Sequence, residues 1–370
     1  MTEPAWARLE PHQPVEPGDD RYIPRPAQGG AEIARWILAG GDTVLVVGPV
    51  GVGKSSELAA AFDNLKAHRA AAWVPVDRLA NVRALTMSEL VAHLTVCLAA
   101  AAEELAIPLS AALTENLRLR DRWAVADPWE QTASTPRLEG ADLLAALVRE
   151  VARAHSSGRV SFVIDGLEKL PEGSSGVLAA LQMIPSEADI VATIPWHAAW
   201  SPGGEELVRA GERVHSILPI RLVDLRSMRV LPEPGRVASF WEQLARSRLG
   251  ELPEDSLECR LRASVWSGGI PRIFLQLLAD AGTYSRLRGE PPFSLSSLDS
   301  AVADLRASLR RSLLQGDVEA MIRAQGTDGV ELERARRVRL LARGLLLEAE
   351  DGKLVIHPLI EAAPNLNAKP

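Results

Sequence analysis

Residues 43–55 read Thr43-Val44-Leu45-Val46-Val47-Gly48-Pro49-Val50-Gly51-Val52-Gly53-Lys54-Ser55, and this stretch decides the fold. Its first five residues are apolar or β-branched, the signature of a strand buried on both faces. The rest match G-x-x-x-x-G-K-[ST] without departure. Glycines in that pattern let successive backbone N–H groups curl inward around phosphate oxygens. Lys54 would neutralise the β- and γ-phosphates, and the Ser55 hydroxyl would ligate Mg²⁺. From Ser56 onward Leu58, Phe62 and Leu65 recur at helical spacing, which places the bound anion at a helix N-terminus.

Working outward, Ala31 to Ala39 reads as a short helix ended by Gly40-Gly41, and Ala71 to Val76 as a second strand. Residues 80–158 read as mostly helical, with amphipathic segments at Ser88–Leu105 and Gly140–His155 flanking a stretch rich in tryptophan and proline. Val160–Ile164, Ile190–Ile194 and Val214–Ile220 are three further strands. Strands alternating with helices predict an α/β fold with a parallel sheet covered on both faces. Beyond Asp224 the strand signal stops. Helices follow over 236–285, broken at Gly268-Gly269-Ile270-Pro271, and again over Leu298–Leu313. The chain ends in two short helices and a hairpin around Asp351-Gly352, the outline of a winged helix. Residues 1–20, with four prolines and five carboxylates, read as a flexible tail.

The bulk numbers agree with a globular chain of two or three folded units: 370 residues, 47% hydrophobic and 24% charged. A net charge of −7 gives the whole molecule no electrostatic pull toward nucleic acid or an anionic membrane. Cys97 and Cys259 have no metal-ligand spacing, so neither a zinc site nor a disulfide framework is suggested, and the pair fits a reducing cytoplasm. The N-terminus lacks the basic-then-apolar order of a secretory leader, and the apolar run Val91–Ala102 is too short to span a bilayer.

A second chemical element is Val160-Ser161-Phe162-Val163-Ile164-Asp165-Gly166-Leu167-Glu168. A buried strand ending in a carboxylate suits Asp165 to holding Mg²⁺, and Glu168 to polarising an attacking water as general base. Equally, Asp165 could cap its strand and Glu168 lie on the surface. No hydrolase triad, dinucleotide fingerprint or N-K-x-D guanine motif is present, and the last absence favours ATP over GTP.

Strand, phosphate loop, helix and then Ile164-Asp165-Gly166-Leu167-Glu168 resemble the AAA+ and STAND P-loop ATPases, the branch of replication initiators, transposition regulators and bacterial conflict-system switches. The resemblance covers roughly residues 20–370. Typical AAA+ motifs put the glutamate directly after the aspartate, whereas the gapped form here is similar to the STAND pattern and implies slow turnover. The resemblance implies a nucleotide site built from Gly48, Pro49, Val50, Gly51, Val52, Gly53, Lys54, Ser55 and Ser56, with ATP and Mg²⁺ as cofactors. It makes Thr193 the candidate γ-phosphate sensor, and it places the trans-acting arginine finger near the end of a helix read over Gly204–Arg213, at Arg213 or Arg209. A β-branched strand residue explains Thr193 equally well, and a cation complementing the helix dipole is the simpler reading of the arginine. Trp266-Ser267-Gly268-Gly269-Ile270-Pro271-Arg272 is similar to the segment opening a lid helix, so Arg272 would reach the phosphates. Arg21-Tyr22-Ile23-Pro24 falls where related proteins contact adenine, which implicates Tyr22 and Ile23.

The implied organisation is a tail at 1–20, an ATPase core at 21–225 with a helical insertion at 80–158, a lid at 226–297 and a winged helix at 298–370. Arg336, Arg339 and Arg343 share one face of the helix before the hairpin and are the candidates for contact with DNA. Against that, residues 301–370 hold 11 basic and 10 acidic side chains, so a solvated face is the simpler reading. His357, in Ile356-His357-Pro358-Leu359, is expected to pack, and His197 to lie near the nucleotide at most. Three functions follow. One is an ATP-driven switch controlling self-assembly or a protein partner, in a defence or mobile-element system. The others are a DNA-binding AAA+ regulator and a non-hydrolysing nucleotide-bound adaptor.

Overall fold

In the computed structural model the apolar run at 43–47 forms a strand that is buried along its whole length. The structure describes residues 13, 15–123, 140–199, 213–225, 229, 231, 234–250, 252–349 and 351–361. In chain order its elements begin with α1 (Gly30–Leu38), β1 (Thr43–Val47), α2 (Lys54–Lys66), β2 (Ala70–Pro75), α3 (Val76–Leu79) and α4 (Met87–Glu104). Next come α5 (Ala111–Trp123), α6 (Gly140–Ala154), β3 (Val160–Asp165), α7 (Ser175–Leu178), β4 (Ala188–Thr193), α8 (Trp196–Ala199) and β5 (Arg213–Ser216). The remainder is α9 (Pro234–Leu249), α10 (Leu257–Trp266), α11 (Pro271–Arg288), α12 (Leu295–Arg311), α13 (Asp317–Ala324), α14 (Arg334–Ala342), β6 (Leu346–Glu348) and β7 (Leu354–Ile356). None of the described helices is long and apolar enough to cross a membrane.

These elements form two compact units, one of Gly30–Val47 with Glu57–His215, the other of Met1–Gly29, Gly48–Ser56 and Ser216–Pro370. The first is the expected α/β sheet with flanking helices. Its strand order is β2-β3-β4-β1-β5, and β2–β3, β3–β4 and β4–β1 are each parallel. Parallel pairing brings the carboxyl ends of β1, β4 and β3 to one edge of the sheet, where Val46 pairs with Thr193 and Ile164 with Ala192. Both faces are covered, so β3 and β4 are buried at every position and Phe162 is wholly inside. Each such large apolar side chain is worth ~1.5–3 kcal/mol. Helix α4 starts where Thr86 and Glu89 form a reciprocal capping box, which satisfies two otherwise orphaned backbone donors. The opposite edge of the sheet is tied by ions: Arg159 Nε donates to the buried Asp189 at 2.8 Å, and its terminal nitrogen reaches Asp42 at 2.9 Å.

The second unit is helical around Trp241, Phe274, Leu277 and Leu298, with Trp241 and Phe274 rings 4.6 Å apart. Pro271 opens α11, where its missing N–H costs nothing. Its last segment runs α13, α14 and the antiparallel hairpin β6–β7, and Gln325 bridges Leu354 alongside.

Two expectations are corrected. Part of the segment read as a flexible tail is held: Val15 is buried, and Asp19 N–H closes a turn on the Glu16 carbonyl at 3.1 Å. The fifth strand stops at Ser216 rather than Ile220, because Ile220 N–H donates to the Gly269 carbonyl at 2.8 Å instead of to the sheet. The helix expected at 204–213, and Arg209 with it, lie outside the described residues apart from Arg213.

Candidate functional site

The sheet unit carries the carboxylates. Asp165 is the last residue of β3, opposite Pro75 at the end of β2, and is buried. Gly166 follows with φ +97°, a left-handed conformation that only glycine adopts cheaply, and a Cβ there would stand 2.9 Å from Asp77. A side chain directly after Asp165 would therefore collide with Asp77, which accounts for glycine at that position of Asp165-Gly166-Leu167-Glu168. The turn is completed by Thr193, whose buried hydroxyl accepts the Gly166 N–H at 3.0 Å. Glu168 is half-buried on the 3-10 turn that follows, and its Oε2 is shielded from solvent without a hydrogen-bond partner. Native structures rarely leave such an atom unsatisfied without a reason. Lys169 next to it forms an ion pair with Asp77. Burial acts to lower the Lys169 pKa, but Asp77, Glu168 and Asp165 outweigh it and hold the ammonium above its ordinary value. Asp77 was missed in the sequence because it stands on the neighbouring strand's exit, in no motif of its own.

Arg213 is the first residue of β5, not the end of a helix. Its guanidinium lies 5.1 Å over the Trp36 ring and 3.6 Å from Glu32, so α1 supplies it with a stacking and an ionic partner. His197 is half-buried on the single turn α8.

The other unit carries the phosphate loop. Lys54 is almost fully buried, and its ammonium donates to the carbonyls of Gly48 at 2.9 Å and Pro49 at 3.2 Å. Val52 is buried as the loop's anchor, while Ser55 and Ser56 are half-buried at the start of α2. Val15 N–H reaches Ser56 Oγ at 3.5 Å. At Gly51 (φ +84) a Cβ would meet Arg272 Cβ at 2.7 Å, and Arg272 N–H donates to the Gly51 carbonyl at 3.2 Å. Arg272 therefore meets the loop both through its backbone N–H and with the stem of its side chain against Gly51. Val50 N–H donates to the Ala342 carbonyl at the end of α14 at 2.9 Å. Ile23 packs on the helical core and Tyr22 N–H donates to the Asp19 carbonyl, so that segment is anchored against the core of α9 to α12. One loop residue escaped the sequence reading: Arg25, whose guanidinium donates to the Val52 carbonyl at 2.7 Å and to that of Leu218. Its signal was faint, a single arginine between Pro24 and Pro26.

Two of the three C-terminal arginines meet a buried carboxylate. Asp317 is fully buried at the start of α13, with Arg339 at 2.6 Å and Arg336 at 3.5 Å from its carboxylate. Arg343 is exposed and donates to the Ser312 carbonyl at 3.3 Å. The solvated face describes Arg343, whereas Arg336 and Arg339 are half-buried and held by Asp317. Burial pushes the Cys97 thiol up to about 11 and the Cys259 thiol up to about 12, so neither is a thiolate nucleophile.

His357 packs, as expected. It is fully buried, Nε2 faces the Ser267 carbonyl at 3.0 Å, and Nδ1 accepts the Leu359 N–H at 3.1 Å, which fixes the neutral tautomer. Burial lowers its pKa to about 4, against the opposing pull of the Ser267 carbonyl. In the unfolded chain the same ring takes a proton near 6.5, so stability must fall as pH drops from about 6.5 toward 4. Urea midpoints measured across that range are expected to decline, and His357→Gln to remove that part of the decline. A flat profile for the unsubstituted chain between pH 7 and 5 would contradict the assignment.

Among known proteins, residues 37–191 match the AAA ATPase domain family. That span runs from the end of α1 through the phosphate loop and Asp165 into β4. None of the curated proteins matches the chain. Solved structures similar to it include the Walker-type ATPase of Pyrococcus abyssi, 14% identical over 94% of this chain and 97% of that one, with a TM-score of 0.48. The Aeropyrum pernix ORC1 protein, solved in complex with DNA, is 15% identical over 96% and 93%, with a TM-score of 0.42. The Thermotoga maritima RuvB Holliday junction branch migration motor is 13% identical over 88% and 87%, with a TM-score of 0.39.

Proposed function

We propose that this chain, with an AAA ATPase domain over 37–191, is an ATP-driven switch of the AAA+/STAND kind that hydrolyses ATP slowly. The observation that carries the reading is the intact phosphate loop Gly48–Ser55, which follows the buried strand β1 and leads into α2; within the sheet unit, Asp165 ends β3 and Glu168 follows it. Lys54 and the amides from Gly51 to Ser56 would grip the phosphates. Ser55 and Asp165 offer the hard oxygen donors Mg²⁺ takes. Among the described residues no three His, Cys, Asp or Glu side chains gather into a metal site of their own. That suits an ion that arrives with the nucleotide and keeps most of its waters. The bound ion would draw charge off the phosphates. Glu168, with an unsatisfied carboxylate oxygen, would accept the proton of the attacking water. Thr193 fixes the turn between the two carboxylates, a role compatible with sensing the γ-phosphate. Arg272 and Arg213 remain assigned to lid coupling and to a neighbouring subunit's nucleotide.

The segment α13–α14–β6–β7 is read as a winged helix that turns nucleotide state into self-assembly or a partner contact. The engagement of Arg336 and Arg339 with Asp317 favours that role over duplex DNA binding. Glu168→Gln is the test. ATP turnover is expected to fall by roughly 100-fold or more while ATP binding is retained, and any ATP-dependent assembly to persist longer. Unchanged turnover would move the general base elsewhere. An unsubstituted chain that binds ATP and never hydrolyses it would leave the adaptor reading instead.

A further inference from the structure

The nucleotide reading leaves unexplained why a guanidinium from the N-terminal segment is spent on a loop carbonyl. Arg25 donates to the carbonyl of Val52, the residue before Gly53, at 2.7 Å, and its other terminal nitrogen donates to Leu218. A trans peptide is planar, with its C=O and N–H pointing in opposite directions. Cis peptide bonds are absent among the described residues. Holding the Val52 carbonyl therefore fixes the direction of the Gly53 N–H in the same plane, on the side away from Arg25. Gly53 is a residue whose amide the phosphate-loop pattern aims at a phosphate. The loop's other peptides are held by different means. Val52 N–H closes on the Pro49 carbonyl at 3.3 Å, the Gly51 carbonyl accepts Arg272 N–H, and Lys54 takes the carbonyls of Gly48 and Pro49. The Val52–Gly53 peptide is oriented by a charged side chain from outside the loop.

We infer that Arg25 is a positioning residue for the phosphate loop, which aims the Gly53 amide at the β-phosphate of the bound nucleotide. This rests on the nucleotide-binding reading above. The chemistry specified is recognition of phosphate, not of base or ribose, because the bond Arg25 makes is to the loop's backbone. A charged donor is suited to it, since charge-assisted hydrogen bonds are shorter and stronger than neutral ones.

The experiment is a competition titration on the full chain with fluorescent ATP, displaced by ATP, ADP and inorganic tripolyphosphate. Arg25→Ala is expected to weaken all three in the same proportion, by roughly 10- to 100-fold, the usual worth of one charge-assisted hydrogen bond. Arg25→Lys, which keeps one charged donor, should recover part of the loss. Arg236→Ala is the control: Arg236 donates to the Pro26 carbonyl at 2.9 Å and tethers the same segment. Should Arg236→Ala reproduce the loss, the segment's docking and not the guanidinium is responsible, and the inference is overturned. Loss of ATP and ADP with tripolyphosphate retained would also overturn it, since Arg25 would then read the nucleoside. If Arg25→Ala binds as the unsubstituted chain does while Lys54→Ala does not bind, the inference alone fails. If the unsubstituted chain binds none of the three, the nucleotide reading fails and the inference with it.

Discussion

Lys54→Ala is expected to lower ATP affinity by roughly 100-fold or more, which in practice means that binding disappears at micromolar nucleotide. The ammonium sits almost fully buried, with the Gly48 and Pro49 carbonyls among its partners, at 2.9 and 3.2 Å. A phosphate arriving there offers it charged oxygen acceptors, and that gain is realised only if the ammonium is present. Two charge-assisted hydrogen bonds of ~1.5–3 kcal/mol each set the scale of the loss. Calorimetry with ATP measures it directly. A thermal-shift series gives a second view, since ligand stabilises the folded state by RT ln(1 + [L]/Kd). The unsubstituted chain should melt progressively higher with ATP and Lys54→Ala should not respond. Retention of ATP affinity within threefold would show that nucleotide, if bound, is bound elsewhere.

How legible this was depends on how local each feature is. The strand, loop and helix from Thr43 to Lys66 were readable because the burial pattern, glycine positions and helix start all lie within one continuous segment. The strand ending in Asp165 was readable for the same reason. Features resting on contacts distant in sequence were not. Asp77 meets Gly166 and Lys169 only because β2 and β3 are neighbours. Arg25 meets Val52 across an intervening helix and strand. The fifth strand was read too long because Val214–Ile220 has a strand's composition, and composition cannot show that Ile220 spends its N–H on Gly269. The N-terminal tail was read by composition as well, which overlooked that one apolar residue, Val15, is enough to anchor a turn.

The C-terminal arginines show the same limit with a functional consequence, and they carry the second large prediction. Arg336 and Arg339 were correctly placed on one helix face, but what that face meets is Asp317, on the preceding helix. Asp317 is fully buried and also accepts the Leu314 N–H at 2.7 Å. Burial acts to raise its pKa. The Arg339 hydrogen bond, the Leu314 N–H and the charges of Arg339 and Arg336 outweigh burial and hold the carboxyl below the ordinary aspartate range. Asp317→Ala strands two arginines against a buried cavity, and breaking a buried ion pair from one side costs about 3–5 kcal/mol. The C-terminal segment is expected to melt first in that variant, seen as new protease sensitivity between α12 and α14. The pH sign follows from the depressed pKa: the stabilisation is complete above the ordinary aspartate value near 4 and is lost as pH falls through the lower folded value. Asp317→Asn, which keeps the shape and removes the charge, should therefore mimic the unsubstituted chain at acid pH. The same variants decide between structure and DNA. If the arginines serve packing, Arg339→Ala lowers stability and leaves the chain as indifferent to duplex DNA as before. If their purpose is DNA, Asp317→Asn frees two cations, and affinity for duplex should rise with a steeper dependence on salt. That rise, in a chain that remains folded, would overturn the packing role assigned to Arg336 and Arg339.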